Sequence, residues 1–385
     1  MARVLIVTLG TRGDVVPYAA LGNALTAAGE HVTIAANEVL RGYVAGEFVP
    51  LPVDLTGSGP LTSTRLARLL AERWTAVGRA IAAAADGMDL LLLAPMGWLG
   101  YHVAEATGAA TMGAFLQPLE PTRAFPPPML TTRDLGGWGN HAAARAFRLL
   151  GQAPFAAATA ELRRHLGLRR SGPAATFRRM DQERWPIVYG VSPTVLPPTP
   201  DWPAHRPMTG FWWPPAGRGL SPRVRSFLDA GDPPVYLGFG STSATGADAL
   251  VAETAARLGR RVVTQHGVPG PDVLVIGDEP HAELFPRMAA VVHHGGAGTT
   301  AAALRAGVPS VVVPFTADQP FWARRVAELG AGPAPVPLRR ATVDRLISAV
   351  ASADDYRSGA RSVAERLAAE DGTGAAVAVI RRSLG

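Results

Sequence analysis

Short apolar runs recur along the chain, each followed by a longer stretch in which Ala, Leu and Arg return at helical spacing. Unbroken runs of this length are how strands buried on both faces read, and their alternation with amphipathic helices predicts parallel sheets covered on both sides. In the first half the pattern predicts strands at 3–9, 31–36, 90–93 and 110–115, with helices at 15–28, 61–85 and 97–107. It then restarts, with strands at 235–239, 261–265, 273–276, 289–292 and 310–313. Helices are expected at 244–258, 282–287, 321–329, 342–352, 356–369 and 374–383. The fold class that follows is α/β, with two doubly wound parallel-sheet domains facing across a cleft.

Proline is dense between Ser192 and Pro222, where it blocks both helix continuation and interior strand pairing. That stretch reads as an interdomain linker at 196–222, between an N-terminal domain at 1–195 and a C-terminal domain at 223–370. A chain of 385 residues exceeds the usual reach of one core, and 48% hydrophobic against 18% charged residues is enough to fill two. There is no cysteine, which excludes disulfides and thiolate metal sites and fits a reducing compartment, so a cytoplasmic location is expected. The first apolar run ends at Gly10 and reads as a strand rather than a signal peptide. The longest, Met88 to Ala104, is broken by Pro95, Gly97 and Gly100, so no stable membrane insertion is expected.

The net charge of +6 changes little, because all 37 basic residues are arginines and they lie in scattered pairs such as Arg260-Arg261 and Arg339-Arg340. The Arg163 to Arg179 region reads as a solvated helix face, and no nucleic-acid partner is expected. The expected partners are small molecules, with the chain a monomer or a homodimer.

The candidate chemistry concentrates in His293-His294-Gly295-Gly296-Ala297-Gly298-Thr299-Thr300, which follows the strand at 289–292 and opens an Ala-rich helix. Glycines let a ligand approach the backbone, and a helix N-terminus offers unpaired N–H groups and partial positive charge to an anion. Thr299 and Thr300 add hydroxyl donors and His294 a ring N–H, so His294, Gly295, Gly296, Gly298, Thr299 and Thr300 read as a phosphate seat. His293 points the other way in an extended backbone and reads as structural. Ser241, just past the strand ending at Phe239, is a further candidate phosphate contact. After the strand at 310–313, Asp318 beside Gln319 sets an acid and an amide where sugar hydroxyls could be met, since ligands of open α/β sheets gather at the strands' carboxyl ends.

Four segments stand in order: Gly10-Thr11-Arg12-Gly13-Asp14-Val15-Val16-Pro17 with Ala20-Leu21-Gly22, Tyr236 to Ser241, His293 to Thr300, and Ala317-Asp318-Gln319-Pro320. Together they resemble the signature set of the inverting GT-B glycosyltransferases that use nucleotide sugars. The set is similar to that of the bacterial antibiotic and glycopeptide glycosyltransferases and of the sterol glucosyltransferases. The resemblance implies two Rossmann-like domains, the first for the acceptor and the second for a UDP- or TDP-linked sugar as co-substrate, with no other cofactor. It implies a final helix, within 371–385, that packs back on the N-terminal domain. By the same resemblance His294, Thr299 and Thr300 meet the diphosphate, Asp318 and Gln319 hold the donor sugar, and Val275 falls where the nucleobase is met.

Replacing a nucleoside diphosphate at an anomeric carbon needs a base for the incoming hydroxyl and charge stabilisation for the leaving group. Asp14, just past the glycine turn that ends the first strand, is the candidate catalytic base; its plain alternative is an N-cap for the helix that follows. Many relatives carry His at this place. Gly13, Met96, Trp98, Phe115 and Met129 are the candidate acceptor contacts and lean towards a lipophilic or aromatic alcohol, as in natural-product glycosylation. No Asp-x-Asp triplet occurs, and no metal is expected to take part. The expected activity is hexose transfer with inversion. Two alternatives stand beside it: an epimerase of the same fold, and a non-catalytic auxiliary protein of a biosynthetic complex.

Overall fold

The computed structural model describes residues 1–10, 12–53, 63–214, 219–239 and 246–384, and at 12–14 and 63–71 the backbone alone. Strands β1 Arg3–Val7, β2 His31–Asn37, β3 Glu47–Leu51, β4 Leu90–Leu93, β5 Ala110–Phe115 and β6 Ile187–Tyr189 form a six-stranded sheet in the order β3-β2-β1-β4-β5-β6. Strands β7 Val235–Gly238, β8 Val262–Thr264, β9 Val273–Val275, β10 Ala290–His293 and β11 Ser310–Val312 form a five-stranded sheet in the order β11-β10-β7-β8-β9. Every pairing between these strands is parallel. The central strands are mostly apolar because both faces are covered; β4 is four leucines, all buried.

Each sheet has one place where the strand order reverses: between β1 and β4 in the first, between β7 and β10 in the second. Connections leave such a point in opposite directions, opening a crevice at the carboxyl ends where ligands of doubly wound folds bind. At the first reversal the chain after β4 crosses tightly over the end of β1. A Cβ on Gly97 would lie 2.5 Å from the Val7 carbonyl oxygen.

The chain divides into two compact units, one of Met1–Pro193, Pro197–Pro214 and Asp371–Gly385, the other of Thr194–Leu196 and Pro215–Glu370. Much of the proline-rich stretch therefore belongs to the first unit. Its prolines prevent regular elements but not burial: Phe211 and Trp212 are buried, and Trp212 packs edge-on against Tyr18 at 5.7 Å. The final helix, Gly372–Leu384, also lies in the first unit, with Ala376 and Ile380 in its core and Arg381 Nε donating to Glu30 Oε1 at 3.1 Å.

The elements the pattern did not predict include β3, β6 and the helices Gly136–Leu150 and Pro222–Asp229; the Arg163 to Arg179 region, read as a helix face, holds parts of two helices, Ala156–His165 and Pro173–Gln182. Both strands are sheet edges: β3 is partly exposed and carries Pro50, so its apolar signal is weak, whereas β6 is buried but only three residues long. Arg163 is a correction: it is buried, not solvated. Among the described residues no helix is long and apolar enough to cross a membrane.

Candidate functional site

β10 delivers the chain to the carboxyl edge at the second reversal. Val291 packs in one core with Ala303 of the helix Ala297–Arg305, and Val292 packs in the core of the opposite face. Continuing that alternation puts His293 on the side of the helix and His294 on the other. His293 is fully buried, and its Nδ1 accepts the Gly295 N–H at 3.1 Å. The ring proton is therefore on Nε2, which has no partner among the described residues. Burial, with His294 and His281 adding to it, pushes the His293 pKa down to about 3, so the ring is a neutral donor.

His294 is held down to about 4 by burial. Its Nε2 lies under Gly296, where a Cβ would be 2.5 Å away, and its ring faces Phe315 with centroids 6.2 Å apart. Gly295 takes φ +89°, and a Cβ there would meet Val312 Cγ1 at 2.8 Å and the Gln319 carbonyl oxygen at 3.1 Å. Only glycine fits the turn. Gly296 caps the helix, and the bond from Thr300 N–H to the Gly296 carbonyl at 2.9 Å closes its first turn. The N–H groups of Ala297, Gly298 and Thr299 are left without an intrahelical acceptor. Gly298 is exposed and Thr299 half-buried, whereas Thr300 is 1% exposed and its Oγ1 has no partner among the described residues.

After β11, Ala317 adopts φ 52°, a left-handed turn that is strained for a residue with a Cβ. Gln319 Oε1 accepts the N–H groups of Phe315 and Thr316 at 3.0 and 3.1 Å, which leaves its amide N–H₂ as the group to offer a ligand. Asp318 makes no N-cap bond; its Oδ2 accepts the Trp322 indole N–H at 2.8 Å. Val275 ends β9 on the same carboxyl edge and is half-buried. Three strand steps separate β9 from β10, roughly 14 Å at ordinary spacing, a distance suited to an extended nucleoside diphosphate.

Ser241 lies outside the described residues. Asp14 and Gly13 fall in the helix Arg12–Ala27 that follows β1, and of the Asp14 side chain nothing is described. Met96 and Trp98, both half-buried, follow β4 at the first reversal. Phe115 instead turns into an aromatic core with Trp185 and Tyr189, and Met129 stands exposed in the segment before the helix Gly136–Leu150. Among the described residues no group of three or more His, Asp or Glu is placed to hold a metal.

His293, read from the alternation as structural, is buried with its Nδ1 bonded to the Gly295 N–H. Strand β10 runs to His293 itself, and the helix after it returns along that residue's side of the sheet.

Residues 4–114 match the glycosyltransferase family 28 N-terminal domain, and 249–380 match the C-terminal domain of erythromycin biosynthesis protein CIII-like proteins. The chain is 34% identical over 96% of its length to O-mycaminosyltylonolide 6-deoxyallosyltransferase of Streptomyces fradiae, covering 94% of that protein. It is 30% identical over 98% of its length to a sterol 3-beta-glucosyltransferase of Yarrowia lipolytica, of which it spans only 28%. Among solved structures, the kitacinnamycin glycosyltransferase superposes with a TM-score of 0.74 at 21% identity, over 100% of this chain and 99% of that one. The glycosyltransferase SsfS6 of Streptomyces sp. SF2575, complexed with thymidine diphosphate, superposes with a TM-score of 0.65 at 22% identity, over 99% and 100%.

Two parallel doubly wound sheets are the architecture of the GT-B glycosyltransferases, and the solved neighbours share it. The chain belongs to the glycosyltransferase family that includes the bacterial antibiotic glycosyltransferases and the sterol glucosyltransferases.

Proposed function

We propose that the protein transfers a hexose from a UDP- or TDP-sugar to a hydroxyl of a lipophilic or aromatic small molecule, with inversion and without a metal. The observation that carries this reading is the group of donors around the start of the helix Ala297–Arg305: three N–H groups free of intrahelical acceptors, the Thr300 hydroxyl and the His293 Nε2–H. Buried donors without acceptors are costly, and a diphosphate supplies the acceptors. In this reading His294 underlies the loop, Gly295, Gly296 and Gly298 keep the backbone open, and Thr299, Thr300 and Ser241 add hydroxyls. Asp318 and Gln319 take the sugar's hydroxyls, and Val275 meets the base.

The first unit takes the acceptor, with Gly13, Met96, Trp98, Phe115 and Met129 as contacts. Asp14 accepts the proton of the acceptor hydroxyl as its oxygen bonds to the anomeric carbon. The bond from that carbon to the phosphate oxygen breaks on the opposite face, and the electron pair leaves with the diphosphate. Its charge is met by the helix end and the neutral donors, so no ion is called on. The deoxyallosyltransferase and sterol glucosyltransferase relatives support an alcohol acceptor on a lipophilic body, and the neighbour holding thymidine diphosphate supports the nucleotide.

The test is incubation with UDP- and TDP-glucose and a panel of phenols, macrolactones and sterols. A product heavier by one hexose is expected, with anomeric configuration opposite to the donor's and a rate unchanged by EDTA. Conversion of the donor sugar without acceptor, retained configuration, or loss of activity to EDTA would contradict the corresponding part.

A further inference from the structure

The helix Arg12–Ala27, which follows β1 in the first unit, carries Asp14 in its first turn. Its own bonds hold that turn weakly. Pro17 lies inside the helix and supplies no N–H, so the ladder bond from residue 17 to the carbonyl of residue 13 is missing. A reacting group carried at the start of such a helix keeps its place only if ties from outside fix the backbone on which it stands.

Such a tie stands on each side of the proline. Before it, Asn37 ends β2 and is fully buried, and its Nδ2 donates to the Gly10 carbonyl at 2.9 Å, two residues ahead of the helix. A carbonyl only accepts, so the amide nitrogen is the atom that faces it. The Oδ1, also buried, has no partner among the described residues. An apolar residue would avoid the cost of burying that oxygen unpaired, so the bond to Gly10 is what Asn37 contributes. After the proline, Tyr18 is 1% exposed, and its hydroxyl donates to the Ala114 carbonyl of β5 at 2.6 Å. Tyr18 follows Asp14 by four residues, on the same side of the helix and one turn further from the carboxyl edge of the sheet.

We propose that Asn37 and Tyr18 are positioning residues for the transfer: tied to β2 at Gly10 and to β5 at Tyr18, the start of the helix holds Asp14 at the height where the acceptor hydroxyl gives up its proton. Both act through Asp14. The proposal rests on the reading of Asp14 as the base, and adds the residues by which the fold sets that base in place.

The test compares Asn37→Leu and Tyr18→Phe with the wild type, each variant also made in an Asp14→Asn background. Rates are read as hexose transferred from UDP- or TDP-glucose to the phenol, macrolactone or sterol that accepts it, with TDP and UDP affinity and melting temperature measured beside them. Each single replacement is expected to lower kcat roughly five- to tenfold, with nucleotide affinity changed less than about twofold. In the Asp14→Asn background the same replacements should change the residual rate less than about twofold, because the group they place is gone. Losses of equal factor in both backgrounds, or full kcat in both single variants, would overturn the proposal. Tyr18→Phe keeps the ring against Trp212, so it carries the test alone if Asn37→Leu does not fold. Near-normal turnover of Asp14→Asn by itself would strike the base reading and this proposal with it; a slow Asp14→Asn with additive losses would strike the proposal alone.

Discussion

Thr300 buries a hydroxyl that has no partner among the described residues, so exchanging it for valine separates binding from folding. Thr300→Val should leave stability level or higher and weaken TDP or UDP binding about tenfold. Unchanged affinity by calorimetry would remove Thr300 from the diphosphate seat. Asp14→Asn is expected to keep the fold and the nucleotide affinity but to cut transfer at least about tenfold; near-normal turnover would take Asp14 out of the mechanism. Three buried histidines set a pH dependence. His102, His293 and His294 have folded pKa values of about 4, 3 and 4 against an ordinary 6.5. As pH falls below about 6.5 the unfolded chain takes up protons that the folded chain refuses, so their contribution to stability is full above that pH and lost progressively towards 4. Their imidazole resonances should stay fixed between about pH 7.5 and about pH 5. Titration of all three near the ordinary value would contradict their burial as neutral rings.

At the scale of elements, the turn between β10 and the helix Ala297–Arg305 depends on Gly295. Its positive φ and the approach of Val312 and Gln319 leave no room for a methyl group. Gly295→Ala should cost about 2 kcal/mol or more and displace the segment carrying Asp318 and Gln319; a urea midpoint equal to wild type would contradict this. The loop itself was legible in the sequence, because a glycine run between an apolar strand and an alanine-rich helix is a local signal. The central strands were legible for the same reason: β4 is apolar throughout and β10 is apolar up to His293. Edge strands β3 and β6 were not: β3 is half-buried and its pattern is weak, and β6 is buried but too short, at three residues, to stand out. Arg163 was misread because Glu105 and His102, which bury it, come from a distant helix that local spacing cannot connect. Which histidine turns to the helix side likewise depends on the last residue of β10 and on the face the next helix covers.

On the scale of the whole molecule, the chain leaves its first unit, builds the second, and returns with its last helix. Ile380, fully buried among residues of β1, β2 and the helix Arg12–Ala27, completes a core that the earlier sequence cannot close alone. Ile380→Ala should cost about 2–5 kcal/mol, with hydrogen exchange accelerated in the first unit and nucleotide affinity of the second unchanged. Exchange accelerated only in the second unit would contradict that placement. The most direct measurement of the central claim is a structure of the protein with UDP or TDP bound. Diphosphate oxygens are expected within hydrogen-bond distance of the Gly298 and Thr299 N–H groups, with the base towards Val275; a nucleotide seated away from the carboxyl edge of β10 would contradict it.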